Sequence, residues 1–207
     1  MPLLVGVTGG IGSGKSTVCA MLRQLGCELF EADRAAKQMQ LDDPEVISGI
    51  QALFGTGVYR RDDSGRLSID RQAIAAVVFS DPEKLDALNR LIHPKVREAF
   101  RLAIERCVRE GKPILCKEAA ILFESGMAHE LDRIVVVVAD NDLRVERAVA
   151  RGVGSHEEVR RRMQAQWPQE KLVEQAHYVI VNDGTLQELE VRVRQLYQSL
   201  LSLVPLS

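Results

Sequence analysis

Residues 6–17 read GVTGGIGSGKST, and a stretch so rich in glycine cannot build a core. Gly9, Gly10, Gly12 and Gly14 carry no Cβ, so the chain there can take positive φ and bring backbone N–H groups close to a ligand. From Gly9 to Gly14, with Lys15 and Ser16 following, the spacing is G-x-x-x-x-G-K-[ST], the pattern of a phosphate-binding loop. The amides of Gly10, Ile11, Gly12, Ser13, Gly14, Lys15, Ser16 and Thr17 are expected to form a concave nest for phosphate oxygens. The helix that follows adds its free N–H groups and the positive end of its dipole. Lys15 is expected to reach the outer phosphates of ATP, and the Ser16 hydroxyl to ligate Mg²⁺.

The flanks fit that reading. Leu3 to Val7 form a short apolar run of the kind a buried parallel strand shows. Beyond the loop, Val18, Met21, Leu22 and Leu25 recur at helical spacing, and Gly26 supplies a stop. Strand, glycine loop and helix is the order the motif requires.

The 207-residue chain, 46% hydrophobic and 27% charged, suits one α/β domain, or one domain with an inserted subdomain. A formal net charge of −2 gives no electrostatic case for nucleic acid or an anionic membrane as partner. No apolar run approaches the roughly 20 residues that span a bilayer, and the glycine loop occupies the place of a signal segment. Cys19, Cys27, Cys107 and Cys116 are scattered without a C-x-x-C pair, which points to reduced thiols in a cytoplasmic protein and away from zinc.

Apolar runs predict strands at 3–7, 28–31, 113–117, 133–139 and 177–181, separated by helical patterns. The alternation implies a five-stranded parallel sheet flanked by helices. Between the second and third strands lie about eighty residues with helical signals only, far more than a crossover needs. Asp43-Pro44 and Asp81-Pro82 start helices there, residues 55–66 read as a loop, and a further helical stripe begins after Pro94 and ends at Gly111. We read 34–95 as a helical subdomain where an acceptor docks. A second insertion, 141–170, holds Arg144, Arg147, Arg151, Arg160, Arg161 and Arg162, with Ser155 and Glu158 as a capping box. Guanidinium forks suit phosphate oxygens, so this segment is expected to be a lid over ATP. The plainer alternative is a solvated helix whose arginines pair with Glu146, Glu157 and Glu158.

Three carboxylates follow predicted strands, where open α/β sheets place their ligands. Asp33 can meet a substrate hydroxyl, or can cap the next helix. Glu118 can hold a Mg²⁺ water, or can pair at the surface with Lys117. Asp140 is expected to cap its helix. His93, before Pro94, reads by itself as a packing or capping residue.

Nearly the whole chain resembles the dephospho-coenzyme A kinase family. The opening loop matches, and FEAD at 30–33 stands where the family has Asp-Ala-Asp, with Asp33 on the final aspartate and Glu31 replacing the first. FG at 54–55, DR at 70–71, VF at 78–79 and LNRLIHP at 88–94 match the middle segment. ILFESG at 121–126, RVERAVAR at 144–151, AQ at 165–166 and HYVIVNDG at 177–184 match the later ones. The resemblance implies a P-loop kinase that transfers the γ-phosphoryl of ATP to the ribose 3′-hydroxyl of dephospho-coenzyme A with Mg²⁺. It makes Asp33 the base and, with Lys15 and Arg147, catalytic. It places Arg147, Arg151 and Asn182 on ATP, and Thr8, Asp33, Arg71, His93, Leu122 and Phe123 on the acceptor side. It implies no obligate protein partner. Ala120 stands at a family proline, Gly152 at a frequent aspartate and His177 at the aspartate of Ala-Asp-Tyr. A nucleoside monophosphate kinase of the same fold is the alternative, disfavoured by LNRLIHP and ILFES. A guanine-nucleotide switch lacks its base-reading N-K-x-D motif.

Overall fold

A computed structural model describes residues 1–204. In chain order the elements are β1 Leu3–Thr8, α1 Lys15–Gln24, β2 Glu28–Glu31, α2 Ala32–Asp42, α3 Pro44–Phe54, β3 Tyr59–Arg61, β4 Leu67–Ile69, α4 Arg71–Ser80 and α5 Pro82–Arg109. They continue with β5 Ile114–Glu118, β6 Arg133–Val138, α6 Asn141–Ala150, α7 His156–Gln164, α8 Gln169–Glu174, β7 Tyr178–Val181 and α9 Leu186–Leu201. The chain divides into two compact units, one of Met1–Glu31 with the chain from Ala103 onward, the other of Ala32–Leu102.

The first unit is the predicted five-stranded parallel sheet, in the order β2-β5-β1-β6-β7. On one face Val5, Val7, Ile114, Cys116, Val135 and Val137 pack against Val18 and Leu22 of α1 and Leu189, Val193, Leu196 and Leu200 of α9. Burial on both faces explains why these strands read as continuous apolar runs rather than alternating ones. His177, the departure from Ala-Asp-Tyr, keeps an acceptor at its position: its Nδ1 accepts from Ile134 N–H at 3.1 Å, while its own N–H donates to Ile134 O at 2.9 Å.

The second unit corrects the sequence reading in two places. Residues 55–66 are not simply a loop, because β3 and β4 pair antiparallel within 59–69. Asp62 makes the turn by accepting at Oδ1 from the N–H groups of Ser64 and Arg66. Tyr59, buried on the hairpin, donates its hydroxyl to Gln40 O at 2.7 Å. Strands of three residues are too short for alternation to declare itself. The second correction is Pro94, which lies inside one continuous α5. Its missing N–H removes one helical bond. Ile92, Val96 and Phe100 are buried on either side of it, and that packing carries the helix through. Among the described residues no helix is long and apolar enough to cross a membrane.

Candidate active site

The glycine loop leaves β1 and enters α1 with Gly14 as its left-handed N-cap, φ 92°, and no side-chain cap. Gly12 is also left-handed, at φ 77°. Space as well as φ demands glycine here. A Cβ at Gly12 would collide with the Arg144 carbonyl, and one at Gly14 with Asn182 Nδ2. The Thr17 and Val18 amides both donate to Gly14 O, at 2.9 and 3.1 Å, and the positive end of the α1 dipole lies at the loop.

The loop is braced from three elements. Asn182, buried at the end of β7, donates Nδ2–H to Ser13 O at 2.8 Å. Arg147 of α6 donates Nη1–H to Asn182 O at 2.8 Å. At the loop tip both polar groups of the Ile11 peptide are held, since Arg144 Nε–H donates to Ile11 O at 2.9 Å and Ile11 N–H donates to Gln166 Oε1 at 3.0 Å. The Ser13 N–H donates back to Gly10 O at 3.1 Å, so the Ile11 and Ser13 amides are committed within the protein. The Ser13 hydroxyl is buried with no hydrogen-bond partner among the described residues. Arg144 is 5% exposed, and burial pulls its guanidinium below the ordinary value while Glu170 pushes the other way.

Glu118 ends β5, in register with Val7 on one side and Glu31 on the other. Its Oε1 accepts from the Ser16 hydroxyl at 3.3 Å and lies 3.6 Å from Lys15 Nζ. The alternative pairing with Lys117 fails. Neighbouring strand residues point to opposite faces, and Lys117 is fully buried, 3.4 Å from Glu130. The Ser16 hydroxyl and a carboxylate make an all-oxygen donor set suited to Mg²⁺. Among the described residues no three His, Cys, Asp or Glu side chains gather to hold a metal.

The sequence profile of the family described as Dephospho-CoA kinase matches residues 3–188. The chain is 72% identical over 204 residues to Dephospho-CoA kinase of Chlorobaculum tepidum, covering 99% of this chain and 98% of that one. The chain belongs to the dephospho-CoA kinase family. The Geobacillus kaustophilus relative of that description is 38% identical across 91% of this chain and 92% of its own. A crystal structure from Thermus thermophilus superposes with a TM-score of 0.79 at 37% identity, covering 96% and 97% of the two chains. Dephospho-CoA kinase from Campylobacter jejuni, at 23% identity and a TM-score of 0.70 over 98% of each chain, shares the fold.

In this kinase the other predicted residues fall as follows. Thr8 is fully buried and its hydroxyl donates to Ala120 O at 3.5 Å. Leu122 is fully buried, beside Gly6 on β1. Both side chains pack in the core against the loop after β5. Phe123, from the same loop, is half-buried and stacks on Trp167. Arg151 is the exposed C-cap of α6. In the second unit, Asp33 lies in the first turn of α2, which starts at Ala32, so it is not the N-cap. Arg71 opens α4 and donates to Gln40 Oε1 at 3.3 Å and Lys37 O at 3.2 Å, tying α4 to α2. His93 is half-buried on α5. Asp140 caps α6, and Ser155 with Glu158 forms the expected capping box of α7. Arg144, Gln166 and Trp167 were not singled out as individual site residues. Ile11, the loop residue that Arg144 and Gln166 both hold, lies 133 and 155 residues away from them, and only the AQ match marks Gln166.

Proposed function

We propose that this chain transfers the γ-phosphoryl group of ATP to the 3′-hydroxyl of the ribose of dephospho-coenzyme A. The observation that carries the reading is the Lys15, Ser16 and Glu118 cluster at the open N-terminus of α1, in a chain of this family. Phosphoryl transfer through a loose transition state draws mainly on positioning and on cations near the equatorial oxygens. Lys15 meets the β- and γ-phosphates, exchanging Glu118 for them. Arg147 and Arg151, one helical turn apart on α6, reach ATP from the lid, 141–170. The Ser16 hydroxyl would hold Mg²⁺ directly and Glu118 through water, and the ion, when bound, would neutralise charge on the phosphates. Asp33 orients the acceptor hydroxyl and takes its proton, with Arg71, His93 and Phe123 on the acceptor side and 34–95 as the acceptor-binding subdomain. Incubation with MgATP and dephospho-coenzyme A should release ADP and give one product. NMR of that product should place the new phosphate on the 3′ oxygen; a phosphate elsewhere, or equal ADP release with a nucleoside monophosphate, overturns the assignment.

A further inference from the structure

Gln166, Trp167, Pro168 and Gln169 run from the end of α7 to the first residue of α8, and three of them each hold a different loop at the carboxyl edge of the sheet. Gln166 Oε1 accepts from the Ile11 N–H, at the tip of the phosphate loop, at 3.0 Å. The Trp167 ring stacks on Phe123, in the loop after β5, with centroids 5.8 Å apart and planes 1° from parallel. Gln169 pairs with the Ala139 peptide after β6, accepting from its N–H at 3.1 Å and donating to its O at 3.0 Å. The tetrapeptide has little freedom between these anchors. Pro168 fixes φ at −56°, and Lys171 Nζ lies 3.5 Å from the centre of the indole.

We propose that residues 166–169 are a strap that couples the phosphate loop to the Phe123 loop, so that nucleotide bound at the first sets the acceptor-facing side chain of the second. Phosphates drawing the loop amides inward must either carry Gln166 along with Ile11 or break its hydrogen bond. Both change the setting of the adjoining Trp167, and with it the ring that Phe123 stacks upon. Gln166 and Trp167 are therefore positioning residues that touch no reacting atom. The inference rests on the reading above in which Phe123 meets the acceptor.

Trp167 is the single tryptophan of the chain, so its fluorescence reports the strap directly. Titration with a non-hydrolysable Mg-ATP analogue, without acceptor, should change that fluorescence. Gln166→Leu should still bind the analogue, measured by calorimetry, but without the fluorescence change. In steady state Trp167→Ala should raise KM for dephospho-coenzyme A about two- to tenfold, the worth of a stacked aromatic pair, with KM for ATP little altered. Trp167→Phe, which keeps a stacking ring, should restore it. An unresponsive wild type, a full response in Gln166→Leu, an unchanged acceptor KM in Trp167→Ala, or no rescue by phenylalanine would overturn the strap. The fluorescence arm contains no acceptor. A failure of the wild type to phosphorylate dephospho-coenzyme A would thus overturn the proposed function alone, and the strap would be decided by fluorescence.

Discussion

Lys15 stands 3.6 Å from Glu118, with both side chains nearly buried, so its ammonium is already aimed into the loop. Lys15→Ala should lower turnover by about 10²–10³, as removal of a group opposite developing charge commonly does. Far-UV circular dichroism should be unchanged; near-normal turnover would put the chemistry elsewhere. Asp33 is a sharper case, because its place in the first turn of α2 removes helix capping as its structural role. Its place there puts a negative charge near the positive end of the helix, worth about 0.3–1 kcal/mol. Loss of that charge in Asp33→Asn should lower the melting temperature by a few degrees. Turnover should fall by about 10², the low end for loss of a general base, since a loose transition state draws little on the nucleophile's proton. ATP affinity should hold. Normal turnover with a lowered melting temperature would make Asp33 purely structural.

At the scale of elements, α6 does two jobs. Arg147 holds the Asn182 carbonyl, and Arg144 is spent on the Ile11 carbonyl and on Asn141 Oδ1 at 2.9 Å. Truncating a buried donor of this kind costs about 1–3 kcal/mol. Arg144→Ala should thus lower the melting temperature by about 2–10 °C and raise KM for ATP, whereas loss of an exposed arginine such as Arg160 should leave the melting temperature nearly unchanged. An unaltered melting temperature would show that the brace is idle. The α7 cap gives a pH signature. Hydrogen bonding to the Ser155 N–H holds the Glu158 carboxyl below its ordinary 4.5. A depressed carboxylate contributes its stability above that value and loses it as pH falls through the lower folded value. The Ser155 amide resonance should move only on acidification below 4.5, and the titration should vanish in Glu158→Gln. A shift centred above 4.5 would contradict the capping box. The Ser155–Glu158 capping box and the Asp140 cap were legible in sequence because caps are local chemistry between residues two or three apart. The β3–β4 hairpin and the unbroken α5 were not, because a three-residue strand carries no period and because Pro94 is outvoted by its packed neighbours.

At the scale of the molecule, the four cysteines, all in the first unit, test how tightly that unit is packed. All are buried, and among the described residues none is in a disulfide. Burial pushes the Cys19 thiol far above its ordinary value of 9.0, and a hydrogen bond with Cys27, together with burial, pushes the Cys116 thiol well above it. Because the folded values lie above the unfolded one, this contribution is present below pH 9 and is lost as pH rises past it. A colorimetric thiol reagent at pH 8 should find almost no reactive group in the native protein and four after denaturation; a fast-reacting native thiol would refute the packing. The sequence alone determined the strand-loop-helix order around the glycine loop, the five parallel strands and the family. Those features rest on spacing, period and backbone freedom, which are properties of neighbouring residues. Only the tertiary structure decided that Lys117 turns inward to Glu130 while Glu118 faces Ser16, that Thr8 and Leu122 are core, and that Arg144, Gln166 and Asn182 clasp the glycine loop. Those partners lie 13 to 169 residues apart along the chain, and no local pattern of letters encodes which of several like side chains the fold will bring together.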